Sequence, residues 1–277
     1  MIHLTHKISY TYDRPVFLSP HLIRLAAYAH SHIIPESYSL NLLPAHQIHW
    51  QQDVYGNKVA RVDFDGTMET MSVEVKLRAR LEQYNPFDFL IDPHARQFPF
   101  LYPPPIHKAL LPYLRISEES RALSEFEASA SGFHGEIIQF LVQLNKKVFD
   151  QIRYIRRIEE GVQTCEQTLQ TRAGSCRDSA WLLVQLLRRL GLASRFVSGY
   201  LVQLGTPTGD IADLHAWAEV FIPGAGWIGL DTTSGLFTSE GHIALAVGPA
   251  PQDVMPVDGT TDRCVSTMHY QTAVARM

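Results

Sequence analysis

Cysteine, charge of one sign and long apolar runs are all scarce in this sequence of 277 residues. Its three cysteines include no CxxC pair and no zinc-like spacing to histidine, which excludes a disulfide framework and a zinc-finger-like site. The 24 Lys and Arg against 28 Asp and Glu give a net charge of −4 without a basic block, so a nucleic-acid partner is not expected. No apolar window reaches the length of a membrane span.

The N-terminus also lacks the continuous apolar run of a secretory signal peptide. Residues 1–7 instead alternate in the manner of a strand. Because the few cysteines also fit a reducing compartment, we expect a cytoplasmic protein without a membrane partner.

Residues 1 to about 85 predict short β-strands separated by prolines and by an Asp-Gly turn at 65–66. The clearest strand, at 71–81, alternates apolar and mostly polar residues, so one face is expected to be buried. Short strands at near-regular spacing are typical of an antiparallel β-sandwich. The predicted strands cover residues 2–12, 22–28, 38–43, 48–52, 58–64 and 71–81.

The histidines of this half are scattered over several predicted strands, without cysteines or paired carboxylates nearby. We therefore interpret them as strand-face and surface residues, and we expect no metal site there. They are His3, His6, His21, His30, His32, His46 and His49.

A proline-rich passage between residues 84 and 107 predicts a domain boundary, because prolines at this density cannot sustain a helix or a central strand. We assign a β-rich domain to residues 1–100 and a second domain to residues 101–277. In the second domain the apolar period changes from two to 3.6, and strands return after residue 191. Helices followed by antiparallel strands predict an α+β fold.

Cys176 stands where a Gly-Ser break meets an apolar helix face. Ala180, Leu183 and Leu187 follow it at helical spacing, so Cys176 is predicted in the first turn of a helix. The unpaired N–H groups and the positive dipole end of that turn favour a thiolate and can donate to an oxyanion. Judged alone, the residue is more simply interpreted as a buried structural cysteine.

A predicted hairpin over residues 214–231 offers a base and a group to orient it. His215, Trp217 and Glu219 share one face of its first strand, while Trp227 and Asp231 share one face of its second. Parity then allows His215 and Asp231 to lie on the same side of adjacent strands, opposite or diagonal to each other. A thiol, an imidazole and a carboxylate in this relation are the parts of a nucleophilic triad.

Several separated motifs together resemble the bacterial transglutaminase-like superfamily, a group of papain-like thiol enzymes. They are Gly-Ser-Cys-Arg-Asp-Ser-Ala at 174–180, the segment 186–200, His-Ala-Trp-Ala-Glu-Val-Phe at 215–221 and Gly-Trp-Ile-Gly-Leu-Asp-Thr at 226–232. Segments 242–248 and 253–259 resemble the family's C-terminal part, and 50–57 resembles its N-terminal region. The resemblance implies an antiparallel β-sandwich followed by a papain-like core of helices on an antiparallel sheet.

Carried over residue by residue, the resemblance implies that Cys176 is the nucleophile, His215 the general base and then acid, and Asp231 the group that orients the imidazole. It also implies an oxyanion site made by the backbone N–H of Cys176 and a second donor upstream. Gln167 and Gln170 are the candidates for that donor.

Further motif residues are expected around the triad. We expect Trp217 and Trp227 to form core or cleft wall and Tyr200 to form cleft wall. Glu219 is expected either to support His215 by hydrogen bonding or to face solvent. Asp178 is interpreted as an acid that stabilises the helix start.

Three positions depart from the family pattern. Thr232 stands where proline is usual, Arg177 stands where glutamine is frequent, and residues 248–253 lack the arginine that commonly follows the glycine. None of these departures removes a triad member, but the last two border the predicted cleft.

The resemblance implies thiol-dependent acyl-enzyme chemistry on amide bonds, without a metal or an organic cofactor. We expect hydrolysis of a peptide or isopeptide bond in a peptide or protein substrate. One alternative is acyl transfer to an amine, from a protein glutamine or from a thioester donor. Another is a peptide-binding module without turnover, against which the intact triad argues.

Overall fold

The alternating segments of the sequence form antiparallel strands, and the helical periods form helices between them. A computed structural model describes residues 1–29 and 31–277, so His30 lies outside the described residues. The strands are β1 (Ile2–Phe17), β2 (His21–Ile23), β3 (Ile33–Leu43), β4 (His46–Gln52), β5 (Lys58–Phe64), β6 (Thr67–Leu81), β7 (Gln97–Phe98), β8 (Gly135–Glu136), β9 (Arg153–Tyr154), β10 (Ala173–Gly174), β11 (Ser194–Thr206), β12 (Gly209–Ile222), β13 (Gly226–Asp231), β14 (Leu236–Phe237), β15 (His242–Gly248), β16 (Val257–Asp258) and β17 (Ser266–Arg276).

The helices are α1 (Pro104–Leu114), α2 (Arg121–Ser131), α3 (Ile137–Gln151), α4 (Cys165–Thr171) and α5 (Cys176–Arg189), with short 3-10 helices at Pro93–Ala95 and Pro251–Val254. Helix α1 begins inside the proline-rich passage, because proline is tolerated in the first turn of a helix. Within the described part of the chain, no helix combines the length and the apolarity that crossing a membrane requires.

The predicted α+β fold and its N-terminal sandwich are confirmed. Two four-stranded antiparallel sheets, with strand orders β17-β1-β6-β3 and β16-β2-β5-β4, bury their apolar faces in one shared cluster. In β6 the residues from Met71 to Ala79 alternate between buried and more exposed, as the sequence pattern predicted. Burial of this alternating face is the main contribution to the stability of such a sheet.

The C-terminal strands are a correction to the predicted domain assignment. They were expected in the second domain, but β17 pairs with β1 along Ile2↔Arg276 to Tyr12↔Ser266, and β16 pairs with β2. The pairing satisfies backbone groups of β1 and β2 that would otherwise lie at an open sheet edge, and β17 and β16 become the edge strands instead. Local sequence pattern carries no information about such a pairing.

The second sheet system supports the helices. Its strand order is β14-β13-β12-β11-β15. Ala216, Ala218 and Val220 of β12 share a core cluster with the apolar residues of α5. Since side chains alternate along a strand, His215 and Trp217 project from the other face.

The N-terminal domain completes the outer edge of β15. The segment after β2, predicted to continue as a strand, ends its pairing at Ile23, and the backbone N–H of Tyr28 then donates to the carbonyl of Ala244 at 2.8 Å. The buried Asn57 side chain accepts from the N–H of Val247 at 2.8 Å and donates to its carbonyl at 2.9 Å. The Asn57 amide therefore makes the two hydrogen bonds to β15 that the backbone of a neighbouring strand would make.

Candidate active site

Cys176 is the first residue of α5 and is 9% exposed. The turn before it is closed by Asp178, whose Oδ2 accepts from the backbone N–H and from the hydroxyl of Ser175, both at 2.8 Å. This is a capping interaction at the helix start. A Cβ at Gly174 would lie 2.9 Å from the Cβ of Asp178. The close approach of this turn therefore requires glycine at position 174.

Asp178 also holds the loop that precedes α5 in place through hydrogen bonds. Its Oδ2 accepts from Nε of Arg157 at 2.9 Å and its Oδ1 accepts from the backbone N–H of Gln163 at 2.7 Å. The residue is 1% exposed. All of these partners belong to the scaffold, which agrees with its interpretation as a structural acid.

The hairpin register places the other two triad candidates. Glu219 pairs with Gly229 and Ala218 with Leu230, so Asp231 lies level with Trp217 and diagonal to His215. The Nε2 atom of His215 lies 3.2 Å from Oδ1 of Asp231. Both residues project from the same face, as the parity argument required.

The His215 ring lies between a thiol and a carboxylate. Its Nε2 faces Asp231, and the Cys176 side chain is among the groups that raise the pKa of the ring. Since Nε2 is engaged by Asp231, Nδ1 is the nitrogen left for the sulfur. The structure therefore brings together the three residues that the sequence singled out, in the order thiol, imidazole, carboxylate.

Electrostatics favour a charged imidazole in this position. Burial alone would lower the pKa of His215, but the hydrogen bonds and the charges of Asp231 and Cys176 outweigh it and raise this pKa from 6.5 to about 10. Burial likewise opposes ionisation of Asp231, but hydrogen bonds from His215 and His242 hold the pKa of that carboxyl well below its usual range. A charged imidazole beside a thiol is the arrangement by which cysteine enzymes activate their nucleophile.

The Asp231 carboxylate is surrounded by donors. Its Oδ1 also accepts from the backbone N–H and the hydroxyl of Thr233, each at 2.8 Å, and its Oδ2 accepts from the hydroxyl of Ser234 at 3.0 Å. The backbone carbonyl of Asp231 accepts from the buried amide of Asn145 on α3 at 3.2 Å. Nε2 of His242 lies 3.4 Å from Oδ2.

Sequence reasoning assigned no role to His242. It begins β15, which is separated from β13 by β12 and β11 in the sheet. The Trp217 indole bridges this gap, because Gly199 on β11 leaves space that a Cβ would fill at 2.4 Å from the indole. The His242 ring then packs against Trp217 with centroids 5.3 Å apart. The available signal was the position of His242 at the start of the C-terminal segment that resembles the family.

Two of the expected cleft-wall residues lie in the interior. Trp217 is 2% exposed and covers His215 and His242 from the core side. Tyr200 is fully buried in the cluster shared with the N-terminal sheets, so it cannot line a cleft. Its side chain projects from the opposite face of β11 to Gly199, because neighbouring residues on a strand alternate.

Glu219 and Trp227 form a separate cluster. The carboxylate of Glu219 accepts from Nε of Arg195 at 2.6 Å, and the guanidinium of Arg195 lies 4.3 Å from the centre of the Trp227 ring. Trp227 lies four residues along β13 from Asp231, about 13 Å away in an extended strand. Glu219 therefore pairs with Arg195. Neither Glu219 nor Trp227 contacts the triad.

The expected second oxyanion donors also lie elsewhere. Gln167 and Gln170 are exposed on α4, and the Gln170 amide donates to the carboxylate of Glu166. Helix α4 ends at Thr171, and the two-residue strand β10 separates it from the cysteine. In the part of the chain that the structure describes, neither amide makes a hydrogen bond with a triad residue.

Tyr154 is the side chain that the structure offers in their place. Strand β9 pairs with β10 in parallel, with Tyr154 level with Gly174, two residues before the nucleophile. Burial and then the charge of Cys176 raise the pKa of the Tyr154 hydroxyl. Tyr154 was not a candidate from sequence, because its two-residue strand carries no periodic signal.

A cavity of about 200 Å³ lies beside these residues. Thr233 belongs to its lining, and the Thr233 hydroxyl is 3.4 Å from Nε2 of His215. The cavity is lined by Phe149, Ile152, Arg153, Tyr154, Gly174, Ser179, Thr232 and Thr233.

Two departures from the family pattern have structural roles. The Thr232 hydroxyl donates to that of Ser179 on α5 at 2.8 Å, which a proline would not do. The Arg177 guanidinium donates to the carbonyls of Arg157 and Glu159 and so ties down the preceding loop.

One group of side chains near the triad has the composition of a metal site. The ligand atoms of His215, Asp231 and His242 lie within 4.8 Å of one another. However, Nδ1 of His242 accepts from the backbone N–H of Ser239 at 3.1 Å, so the ring proton is on Nε2. A protonated nitrogen has no lone pair for a metal, and the arrangement fits a hydrogen-bond network better than a metal centre.

Comparison with known protein families gives two matches. Residues 128–232 match the transglutaminase-like superfamily, and residues 2–80 match the bacterial transglutaminase-like N-terminal region. Curated proteins from Mycobacterium tuberculosis and Mycobacterium bovis, both described as uncharacterised, are 31% identical over 157 residues. That alignment covers 53% of this chain and 49% of each relative, so the chain spans about half the length of the curated relatives it matches.

A solved structure shows the same fold over the whole chain. It is described as a candidate cysteine protease from Cytophaga hutchinsonii, and it superposes with a TM-score of 0.72 at 21% identity. The superposition covers 100% of this chain and 91% of that one. At this level of identity the likeness supports the fold alone.

Proposed function

Because the chain belongs to the transglutaminase-like superfamily, we propose that it is a cysteine enzyme that cleaves amide bonds, with Cys176, His215 and Asp231 as its catalytic triad. The observation that carries this proposal is the position of His215, whose Nε2 lies 3.2 Å from Oδ1 of Asp231 and whose pKa is also raised by the Cys176 side chain. That order of groups is the one a thiol nucleophile requires.

The reaction divides into two steps. In the first, the Cys176 thiolate attacks the amide carbonyl carbon, and protonated His215 delivers its proton to the leaving amine as the C–N bond breaks. The product is a thioester between Cys176 and the acyl group. In the second, neutral His215 takes a proton from water, the resulting hydroxide attacks the thioester, and the acid leaves as the thiol sulfur is regenerated.

The oxyanion formed in each step needs preorganised donors. The backbone N–H of Cys176, in the first turn of α5, has no partner within the helix and is the first donor. We assign the second to the Tyr154 hydroxyl, supported by its place beside Gly174 and by its electrostatic coupling to the Cys176 sulfur.

The cavity next to the triad is our candidate for a substrate pocket. Its volume of about 200 Å³ suits one side chain of moderate size. The hydroxyls of Tyr154 and Thr233 and the apolar ring of Phe149 line it together. We propose a peptide or isopeptide as the substrate. The cytoplasmic location stays a prediction.

The low exposure of the nucleophile favours a second candidate function. Cys176 is only 9% exposed, and a site that restricts water favours transfer of the acyl group to an amine over hydrolysis. Assays with and without an added primary amine separate the two functions, since transfer yields a new amide of known mass.

The nucleophile assignment is tested with the other cysteines as internal controls. Burial and the neighbouring Glu118 raise the pKa of Cys165, so this thiol is expected to stay unreactive. We expect iodoacetamide at mildly acidic pH to alkylate Cys176 faster than Cys165 and Cys264, as read by peptide mass.

Turnover completes the test. Cys176→Ala is expected to abolish cleavage of a peptide amide library and formation of the acyl-enzyme detected by intact mass, whereas Cys264→Ala keeps both. A Cys176→Ala protein as active as the parent would refute the proposed function.

A further inference from the structure

His242 lies against the triad without contacting the nucleophile. Its Nε2 is 3.4 Å from Oδ2 of Asp231, at the long end of hydrogen-bond distances. Its side chain is 7% exposed, so water does not compete freely for this contact. The ring is held edge-on against Trp217.

The local backbone decides which nitrogen of His242 carries the proton. The N–H of Ser239 donates to Nδ1 at 3.1 Å, and the N–H of His242 donates back to the carbonyl of Ser239 at 2.9 Å. An N–H can donate only to an unprotonated nitrogen, so the ring hydrogen is on Nε2 and points toward Asp231. His242 is thereby a neutral donor to the carboxylate.

The two oxygens of Asp231 are divided between the two imidazoles. Oδ1 receives His215 together with Thr233, while Oδ2 receives His242 together with Ser234. A carboxylate held at both oxygens cannot rotate about its last bond. Donors on Oδ2 therefore determine where Oδ1 points, which is toward His215.

We propose that His242 is a positioning residue that acts through Asp231 to hold the His215 imidazole, in its charged form, in line with Cys176. The proposal rests on the proposed function, since it gives His242 a part in the same triad. Outer partners of this kind commonly change the activity of a site by one to two orders of magnitude.

The groups that face His215 come from three elements. They are Cys176 from α5, Asp231 from β13 and His242 from β15, with the His242 ring centre 6.0 Å from that of His215. The pH at which His215 titrates therefore depends on these three groups, and a substitution of His242 changes one of them.

Two substitutions separate the Asp231 contact from the Ser239 contact. In His242→Gln the amide nitrogen reaches the place of Nε2 and can still donate to Asp231, but nothing accepts from Ser239. In His242→Asn the side-chain oxygen takes the place of Nδ1 and can accept from Ser239, but the amide does not reach Asp231. If His242 only supports the turn at Ser239, His242→Asn is expected to behave as the parent does. If His242 positions Asp231, His242→Gln is expected to behave as the parent does and His242→Asn is not.

The readouts are the titration of His215 by ¹⁵N NMR of histidine-labelled full-length protein and the rate of Cys176 alkylation at pH 8. The His215 signal is assigned by its loss in His215→Asn. We expect His242→Asn to lower the His215 midpoint by about one pH unit, which corresponds to the loss of one hydrogen bond to a charged group, and to slow alkylation because the imidazole is held less well against the thiol. His242→Gln is expected to keep both near the parent values.

The proposal is overturned if His242→Asn behaves as the parent does, or if Gln rescues no better than Asn. The parent alone supplies a further check that needs no folded variant: a protonated Nδ1 on His242, read from its ¹⁵N shifts, would also overturn it. If parent Cys176 alkylates no faster than Cys264 while the His215 titration still responds to His242→Asn, the proposed function fails and the positioning link stands.

Discussion

Two buried aspartates flank the nucleophile, and each is 1% exposed. Asp178, in the first turn of α5, accepts hydrogen bonds from Ser175, Gln163 and the guanidinium of Arg157. Asp231, at the end of β13, accepts from Thr233 and from two imidazoles. Residue type and burial are the same, so only the partners differ.

The partners determine what each carboxylate can do. The donors to Asp178 are backbone groups, a hydroxyl and an arginine that keeps its charge over the working pH range. Such a site holds a loop and a helix start in place. The donors to Asp231 include His215, a titratable imidazole that gives up and takes back a proton in the proposed reaction. A carboxylate paired with a titratable group contributes to proton transfer as well as to structure.

The largest expected effect in activity comes from Asp231→Asn. The amide keeps the shape of the side chain but presents hydrogens to donors such as Thr233 and loses the charge that stabilises protonated His215. We expect kcat to fall by about 10³–10⁴-fold, the scale for a triad carboxylate. Steady-state kinetics on a peptide amide checks this, with circular dichroism to establish that the variant is folded.

Asp178→Asn is the matched variant at the other site. It removes the buried charge that pairs with Arg157, leaving only the exposed Glu159 at 3.6 Å, and it weakens the helix cap, so we expect a loss of about 3–5 kcal/mol in the free energy of unfolding. Urea unfolding measures the loss, and kcat per folded molecule is expected to change far less than in Asp231→Asn. A larger kcat loss at Asp178 than at Asp231 would reverse the comparison.

The pH dependence of activity separates the two sites further. His215 keeps its proton up to about pH 10, so we expect kcat/KM to fall as the pH rises through that value. The native state also binds this proton more tightly than the unfolded chain does, so the stability it contributes is complete below pH 6.5 and is lost between 6.5 and about 10. Asp178→Asn should keep the alkaline limb in place, whereas Asp231→Asn should move it to lower pH.

Single hydroxyl donors give the smallest effects. Thr233→Val removes the hydroxyl on Oδ1 of Asp231 but keeps the backbone N–H, and we expect a loss in kcat of about fivefold, corresponding to one ordinary hydrogen bond. Ser175→Ala removes the hydroxyl on Asp178 and is expected to cost about 1 kcal/mol in unfolding free energy. Equal effects of both variants on kcat would contradict the separation of roles.

Local patterns predicted a large part of this arrangement. The α+β class followed from periods of two and 3.6 residues, and the first-turn position of Cys176 followed from apolar spacing along one helix. The shared face of His215 and Asp231 followed from strand parity. Each of these inferences depends on residues close together in the chain.

What escaped prediction depends on residues that are distant in the chain. The pairing of β17 with β1 joins the two ends of the sequence. Tyr200 was expected near the cleft, but it faces the core because the N-terminal sheets cover its side of β11. Gln167 and Gln170 were expected as oxyanion donors because they precede the cysteine, but both are exposed on α4.

The sequence by itself determined which residues can do the chemistry. Residues close together in the chain specify the helix start at Cys176 and the hairpin that carries His215 and Asp231. Only the tertiary structure decided how those groups are held. Gly199 leaves space for Trp217, Asn57 supports the edge of β15, and β15 delivers His242 to the far oxygen of Asp231. The reason is physical: a local pattern specifies a strand and its faces, whereas the neighbours of that strand depend on how the whole chain buries its apolar surface and pairs its backbone groups.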